Sequence, residues 1–147
     1  MDIYEYILRD HEKVDGLMEQ ALAAKTPEAR KALFQEIKEE LTIHADSEEQ
    51  TFYKAIDDAT NKESVEEDLE HGEHEHEEIE KQLEKVSNTP IESDKWLEAF
   101  KDLKHAVDHH VEEEESDIFS RAKQYLTAGQ AKDLVHEMDK LKQTLAS

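Results

Sequence analysis

The chain has 147 residues, 39 of them acidic and 18 basic, for a formal net charge of −21 at pH 7. That balance disfavours nucleic acid and anionic membrane surfaces, because phosphate groups are bound by Lys and Arg. With no cysteine, disulfides, thiolate metal sites and a cysteine nucleophile are excluded, and the length points to one domain able to bury a core.

The first residues, Met1-Asp2-Ile3-Tyr4-Glu5, lack the basic and apolar regions of a secretory signal. No run approaches the ~20 apolar residues of a membrane span. The expected location is therefore the cytoplasm, with no membrane partner. A mean hydropathy of −0.93 is low enough to suggest disorder, but apolar residues recur at three and four along the whole chain, which argues for helix.

In chain order, the spacing predicts a first helix from about Asp2 to Ala24, with Ile3, Ile7, Val14, Leu17 and Met18 on one face. Thr26-Pro27-Glu28 reads as an N-cap with Pro at the first helical position. A second helix runs to about Asp58 through Leu33, Phe34, Ile37, Leu41, Phe52 and Ile56. After Thr60-Asn61 a third runs from about Lys62 to Ser87 through Leu69, Ile79, Leu83 and Val86. Gly72 inside it is a candidate kink. Ser87-Asn88-Thr89-Pro90 is a turn. A fourth helix extends from near Ser93 to about Tyr125, with Trp96, Phe100, Leu103, Val107, Ile118 and Phe119. Thr127-Ala128-Gly129 breaks it, and a shorter segment from about Gln130 to Leu145 carries Leu134, Met138 and Leu141. Short connections favour antiparallel neighbours. The expected fold is all-α: an up-down-up-down four-helix bundle over about 2–125, with a short C-terminal helix over about 128–145, in one domain.

Two halves of the chain repeat. A shift of 66 residues lays Phe34 on Phe100, Ile37 on Leu103, Leu41 on Val107, His44 on His110, Glu48 on Glu114 and Phe52 on Ile118. A shift of 65 lays His11 on His76 and Val14 on Ile79. The phrase His-x-x-x-Glu thus occurs twice, at His44–Glu48 and His110–Glu114, and on a helix each phrase puts an imidazole and a carboxylate on one face.

Register decides what that face meets. Leu41, His44, Glu48 and Phe52 lie at 3-4-4 spacing, as do Val107, His110, Glu114 and Ile118, so the polar residues share the apolar stripe. His11 shares one with Val14 and Met18, and His76 with Ile79 and Leu83. A carboxylate inside a bundle costs several kcal/mol unless paired or coordinated. Four imidazoles and two carboxylates at one level suit a pair of metal ions. Without thiolate, iron, manganese or zinc fits better than copper(I) or an iron–sulfur cluster. Glu48 and Glu114 are placed to bridge. The competing reading is an acidic bundle without metal, whose histidines pair with glutamates.

Taken in order, Asp10-His11-Glu12-Lys13-Val14, Leu41-Thr42-Ile43-His44-Ala45-Asp46-Ser47-Glu48-Glu49, Glu75-His76-Glu77-Glu78-Ile79 and His110-Val111-Glu112-Glu113-Glu114-Glu115 resemble the hemerythrin-like HHE cation-binding domain over roughly residues 2–120. The resemblance implies a four-helix bundle with a non-haem, usually di-iron, centre that meets O₂, NO or peroxide. Its ligands would be His11, His44, Glu48, His76, His110 and Glu114, holding two iron ions with an oxo or hydroxo bridge. The oxygen-carrying members have His-x-x-x-His on the third helix and end with His-x-x-x-x-Asp. This chain instead resembles the H–HxxxE–H–HxxxE subgroup. Two octahedral ions offer roughly 12 positions. Four His, two bridging Glu and the bridge supply about ten, leaving roughly two open where a fifth histidine would leave about one. The more open site favours redox turnover over reversible O₂ storage.

The expected function is therefore reaction with, or sensing of, a small oxidant, with peroxide decomposition favoured. The alternative is an O₂-, NO- or iron-binding sensor or storage module without turnover. Tyr53, five residues after Glu48 and beside the stripe, is a candidate additional ligand or a packing aromatic. His74 is the rival to His76 on the third helix. His71 and His74 share an acidic stretch that reads as a solvated face. His105, His109 and His136 read as surface or capping residues, and Glu112, Glu113 and Glu115 as solvent-facing.

Overall fold

The structure, a computed structural model, describes residues 1–147. It contains helices and no strand: α1 (Ile3–Ala23), α2 (Pro27–Glu48), a π-helical turn (Glu49–Tyr53), α3 (Lys54–Ala59), α4 (Glu63–Ser87), α5 (Asp94–Glu113), a second π-helical turn (Glu114–Ile118), α6 (Phe119–Tyr125) and α7 (Ala128–Ala146). Each π turn joins its neighbours without a break, so α2 with α3 and α5 with α6 form two long rods. With α1 and α4 these make the expected four-helix bundle.

The ends are set by local chemistry. Asp2 accepts from the Glu5 amide at 3.0 Å and Thr26 from the Ala29 amide at 3.1 Å, each satisfying an amide that the helix leaves free. Pro27 occupies the first turn of α2, where its missing N–H costs nothing. Residues 127–129 do more than break a helix. Thr127 accepts from the Gln130 amide at 3.1 Å, and the Gln130 side chain accepts from the Thr127 amide at 2.8 Å. This reciprocal capping box starts α7 at Ala128 and gives it 19 residues, a longer helix than the predicted appendage. Gly72 does not kink α4, which runs unbroken from Glu63 to Ser87.

The core has two apolar floors. One gathers Val14, Met18, Ile37, Leu83, Phe100 and Leu103. The other gathers Ile3, Phe52, Ile56, Phe119 and Ala122, with Leu134 and Met138 of α7 packed in. α7 lies against α1 and α2, where Tyr6 donates to Asp139 at 2.9 Å and Lys142 pairs with Asp10. Between the floors sit the buried polar residues His44, Glu48, His76, His110 and Glu114, with His11 beside them.

Candidate metal centre

His11, His44, His76 and His110 are each delivered by a different helix: α1, α2, α4 and α5. Glu48 closes α2 and Glu114 opens the second π turn. Both carboxylates are fully buried. The Nε2 atoms point at them: His44 to Glu48 at 3.3 Å, His76 to Glu48 at 3.3 Å, His11 to Glu114 at 3.2 Å and His110 to Glu114 at 3.3 Å. These approaches do not have hydrogen-bond geometry. All four Nε2 atoms, both oxygens of Glu48 and one of Glu114 are buried without a hydrogen-bond partner. Buried polar atoms in a folded protein are nearly always satisfied, so seven unsatisfied atoms gathered between the helices are what bound cations would satisfy. Donors held ~2.0–2.2 Å from a shared ion lie about 3 Å apart, close to the separations here.

The donors fall into two sets. His11, His44, Glu48 and Glu114 bring ligand atoms within 4.8 Å of one another, and so do Glu48, His76, His110 and Glu114. Both carboxylates belong to both sets. One pair of histidines comes from the α1–α2 hairpin and the other from the α4–α5 hairpin.

Behind the imidazoles runs a ring of acids. Asp10 of α1 accepts from His44 Nδ1 at 2.7 Å, and Glu49 of the first π turn from His76 Nδ1 at 2.6 Å. Glu75 of α4 accepts from His110 Nδ1 at 2.8 Å, and Glu115 of the second π turn from His11 Nδ1 at 2.9 Å. Each acid reaches the histidine of the next rod, and the last returns to the first helix. A carboxylate on Nδ1–H fixes the ring's orientation and leaves Nε2 free to ligate. Glu115, expected to face solvent, is therefore tied to the site, because the wider π turn swings it toward α1. Glu113 is half-buried beside His71 and His109, so of the three acids expected in solvent only Glu112 is exposed.

The electrostatics follow from crowding. Burial alone would lower the pKa of His44, but the Glu48 charge and the hydrogen bond to Asp10 outweigh it and push the value up to about 10. His110 is pushed up to about 10 in the same way, by Glu114 and Glu75 against burial. Burial would raise Glu114, yet the close approach of the His11 and His110 imidazoles holds it well below the usual carboxylate range. The cluster thus demands positive charge: protons on the imidazoles or a metal in their place.

Tyr53 faces inward. A π turn is wider than an α turn, so the fifth residue after Glu48 returns toward the site. The Tyr53 hydroxyl donates to Glu114 Oε2 at 2.5 Å, and its ring stacks on His76 at 5.6 Å between centroids. Burial, then the Glu114 and Glu48 charges, hold the phenol protonated well above its ordinary pKa. The explanation for Gly72 lies here. A Cβ at that position would meet the Tyr53 hydroxyl at 2.6 Å and Ile118 Cδ1 at 3.0 Å, so the glycine makes room for the tyrosine.

On the other side of the polar layer a cavity of about 190 Å³ reaches the four histidines between walls that include Val14, Leu41, Ile79, Leu83 and Val107. Its volume is that of a few waters and smaller than pockets that hold drug-sized organic ligands.

The remaining histidines lie outside this layer. His74 is exposed on α4, 3.7 Å from Glu77, whereas His76 is buried. His105 and His136 are exposed. His71 and His109 are exposed but gather around Glu75 and Glu113. Sequence reasoning missed the roles of Asp10, Glu49, Glu75 and Glu115. A signal was available: Asp10 and Glu75 each precede a single histidine, and Glu49 and Glu115 each follow a bridging candidate, at the same shifts of 65 and 66.

No helix is long and apolar enough to cross a membrane. No curated protein sequence matches the chain. A crystal structure of a hemerythrin HHE cation-binding domain-containing protein from Mycobacterium kansasii is similar in fold, with a TM-score of 0.87 and 24% sequence identity, over 99% of this chain and 87% of that one. The model of the hemerythrin HHE cation-binding domain matches residues 2–122; with that match over most of its length, the chain belongs to the hemerythrin HHE cation-binding domain family.

Proposed function

We propose that the protein is a non-haem di-iron protein that decomposes peroxide, with O₂ and NO as related small ligands. The observation that carries this reading is the set of seven unsatisfied, buried ligand atoms, beside a small cavity that reaches the four histidines. His11 and His44 would hold one ion, His76 and His110 the other, with Glu48 and Glu114 shared. When bound, two iron ions with an oxide or hydroxide bridge supply the electron exchange that peroxide decomposition needs; manganese or zinc would suit the same donors.

The chain's own residues do the rest. Asp10, Glu49, Glu75 and Glu115 orient the four rings. The apolar floors keep bulk water from Glu48 and Glu114, so charges there act at full strength. The cavity admits a small uncharged oxidant and has no room for an extended substrate. Tyr53 holds a proton on an oxygen 2.5 Å from Glu114 Oε2, where it can be shared with the carboxylate as charge at the site changes.

Elemental analysis after expression in iron-supplemented medium tests the reading. About two ions per chain are expected, as the two donor sets require, with peroxide turnover abolished in His44→Ala and His110→Ala. Fewer than one ion per chain, with melting unchanged by chelator, would overturn it. Two ions whose optical spectrum responds to O₂ or NO without peroxide turnover would leave the binding module instead.

A further inference from the structure

We propose that the α4–α5 hairpin carries a second, solvent-facing site for a divalent transition metal, formed by His71, Glu75, His109 and Glu113. These residues make two more His-x-x-x-Glu phrases, His71–Glu75 on α4 and His109–Glu113 on α5, and the packing of the two helices brings the phrases face to face. His71 Nε2 lies 2.7 Å from Glu113 Oε2 and 3.5 Å from Glu75 Oε2. His109 Nε2 lies 2.9 Å from Glu113 Oε1 and 3.6 Å from Glu75 Oε2. His71, Glu75 and Glu113 bring ligand atoms within 4.8 Å of one another, and His109 approaches the same two carboxylates as the fourth donor.

Charge distinguishes this cluster from ordinary surface pairing. Glu75 and Glu113 have no Lys or Arg within ion-pair distance; their nearest nitrogen partners are histidines. The matching acid of the first half, Asp10, has Lys142. Two carboxylates held together need a proton or a cation between them, and two convergent imidazoles make the donor set suit a metal. Mixed nitrogen and oxygen donors favour zinc and its first-row neighbours over calcium or magnesium, which take oxygen ligands. His71 and His109 are each about 60% exposed in their side chains (60% and 59%), so an ion reaches the site directly from solvent. Glu75 is common ground: its Oε1 holds His110 and its Oε2 faces the outer site.

The test uses the full-length protein with the buried centre first loaded with iron, then titrated with Zn²⁺ and followed by calorimetry and elemental analysis. About one zinc per chain beyond the iron is expected, as one four-donor site requires. The exposed double variant His71→Ala/His109→Ala should weaken zinc at least tenfold while keeping wild-type iron content and melting temperature. Glu113→Gln should weaken it as well. Failure of the wild type to retain zinc, or an unchanged zinc affinity in the double variant, overturns the proposal. The proposal does not rest on the buried centre: His11→Ala/His44→Ala, which leaves the His110–Glu75 bond in place, should keep the outer zinc, and its loss there would mean that zinc had entered the buried cluster, which also overturns it.

Discussion

In the α1–α2 hairpin the acid behind His44, Asp10, is covered by Lys142 of α7, whereas in the α4–α5 hairpin the acid behind His110, Glu75, is met by His71, His109 and Glu113. The interior does not differ in this way. Both hairpins offer two histidines and one shared glutamate, with the Nε2 atoms 3.2–3.3 Å from the carboxylates. The contrast shows which parts of a repeated frame are free to diverge. Inward residues are constrained by one common point between the hairpins, while the outer side of each acid is constrained only by its own neighbours. A second asymmetry lies just below the centre. Tyr53 donates to Glu114, but the residue matching it 66 positions on is Phe119, which has no hydroxyl to offer Glu48. Gly72, which makes room for Tyr53, is matched 65 positions earlier by Ile7.

The largest expected effects test whether the two shared carboxylates are equivalent. Glu48→Ala and Glu114→Ala should each bring bound metal below one ion per chain and cost about 3–5 kcal/mol, since each strands buried partners. Glu114→Ala should cost about 1–3 kcal/mol more, because it also leaves the Tyr53 hydroxyl unpaired. Equal unfolding free energies in the two variants would remove the asymmetry.

Acidity should treat the halves alike. The folded values of His44 and His110, both about 10, lie above the ordinary 6.5. In the metal-free chain their protonation therefore stabilises the fold fully below 6.5, and the contribution is lost as pH rises through 10. The loss should amount to a few kcal/mol and be much smaller once metal replaces the protons. Thermal melts of chelated and loaded protein between these pH values check this; a flat profile for the chelated chain would contradict it.

The acids behind the histidines separate the halves again. Asp10→Asn and Glu75→Gln should each lower metal affinity about 10–100-fold. Asp10→Asn should lose more stability, because it strands Lys142, while Glu75→Gln relieves the crowding with Glu113. Metal titration and chemical denaturation of both variants read the two quantities separately.

The smallest effects come from two glycines. Gly72→Ala, blocked by Tyr53 and Ile118, should destabilise by about 1–3 kcal/mol and disturb the Tyr53–Glu114 bond. Gly16→Ala in α1 meets nothing within 4 Å and should stabilise by about 0.5–1 kcal/mol. Denaturation midpoints decide both, and a neutral Gly72→Ala would detach that glycine from the tyrosine.

Much of the bundle was legible because helix period and core register are local properties. Ile3, Ile7, Val14 and Met18 mark the buried face of α1 by spacing alone, and all are buried. The same spacing put His44, Glu48, His110 and Glu114 inside. Less legible were features that need a neighbour. The Thr127–Gln130 capping box lies in a stretch that by sequence signals only a break, because its reciprocal bonds form only once α7 is in place. The π turns have no composition of their own, so Tyr53 read as lying beside the stripe.

Four helices, their inward stripes and the matching of polar residues across a repeat are legible from spacing, because 3.6-residue periodicity is written within each segment. Helix packing set which acid serves which histidine, since Asp10, Glu49, Glu75 and Glu115 all act on a neighbouring helix. It also decided that His76 turns inward and His74 outward, that Gly72 accommodates Tyr53, and that Lys142 covers one hairpin while the other is left to two exposed histidines. The physical reason is common to all of these: a side chain's partner is set by how helices pack, and spacing along one helix carries no record of what stands across from it.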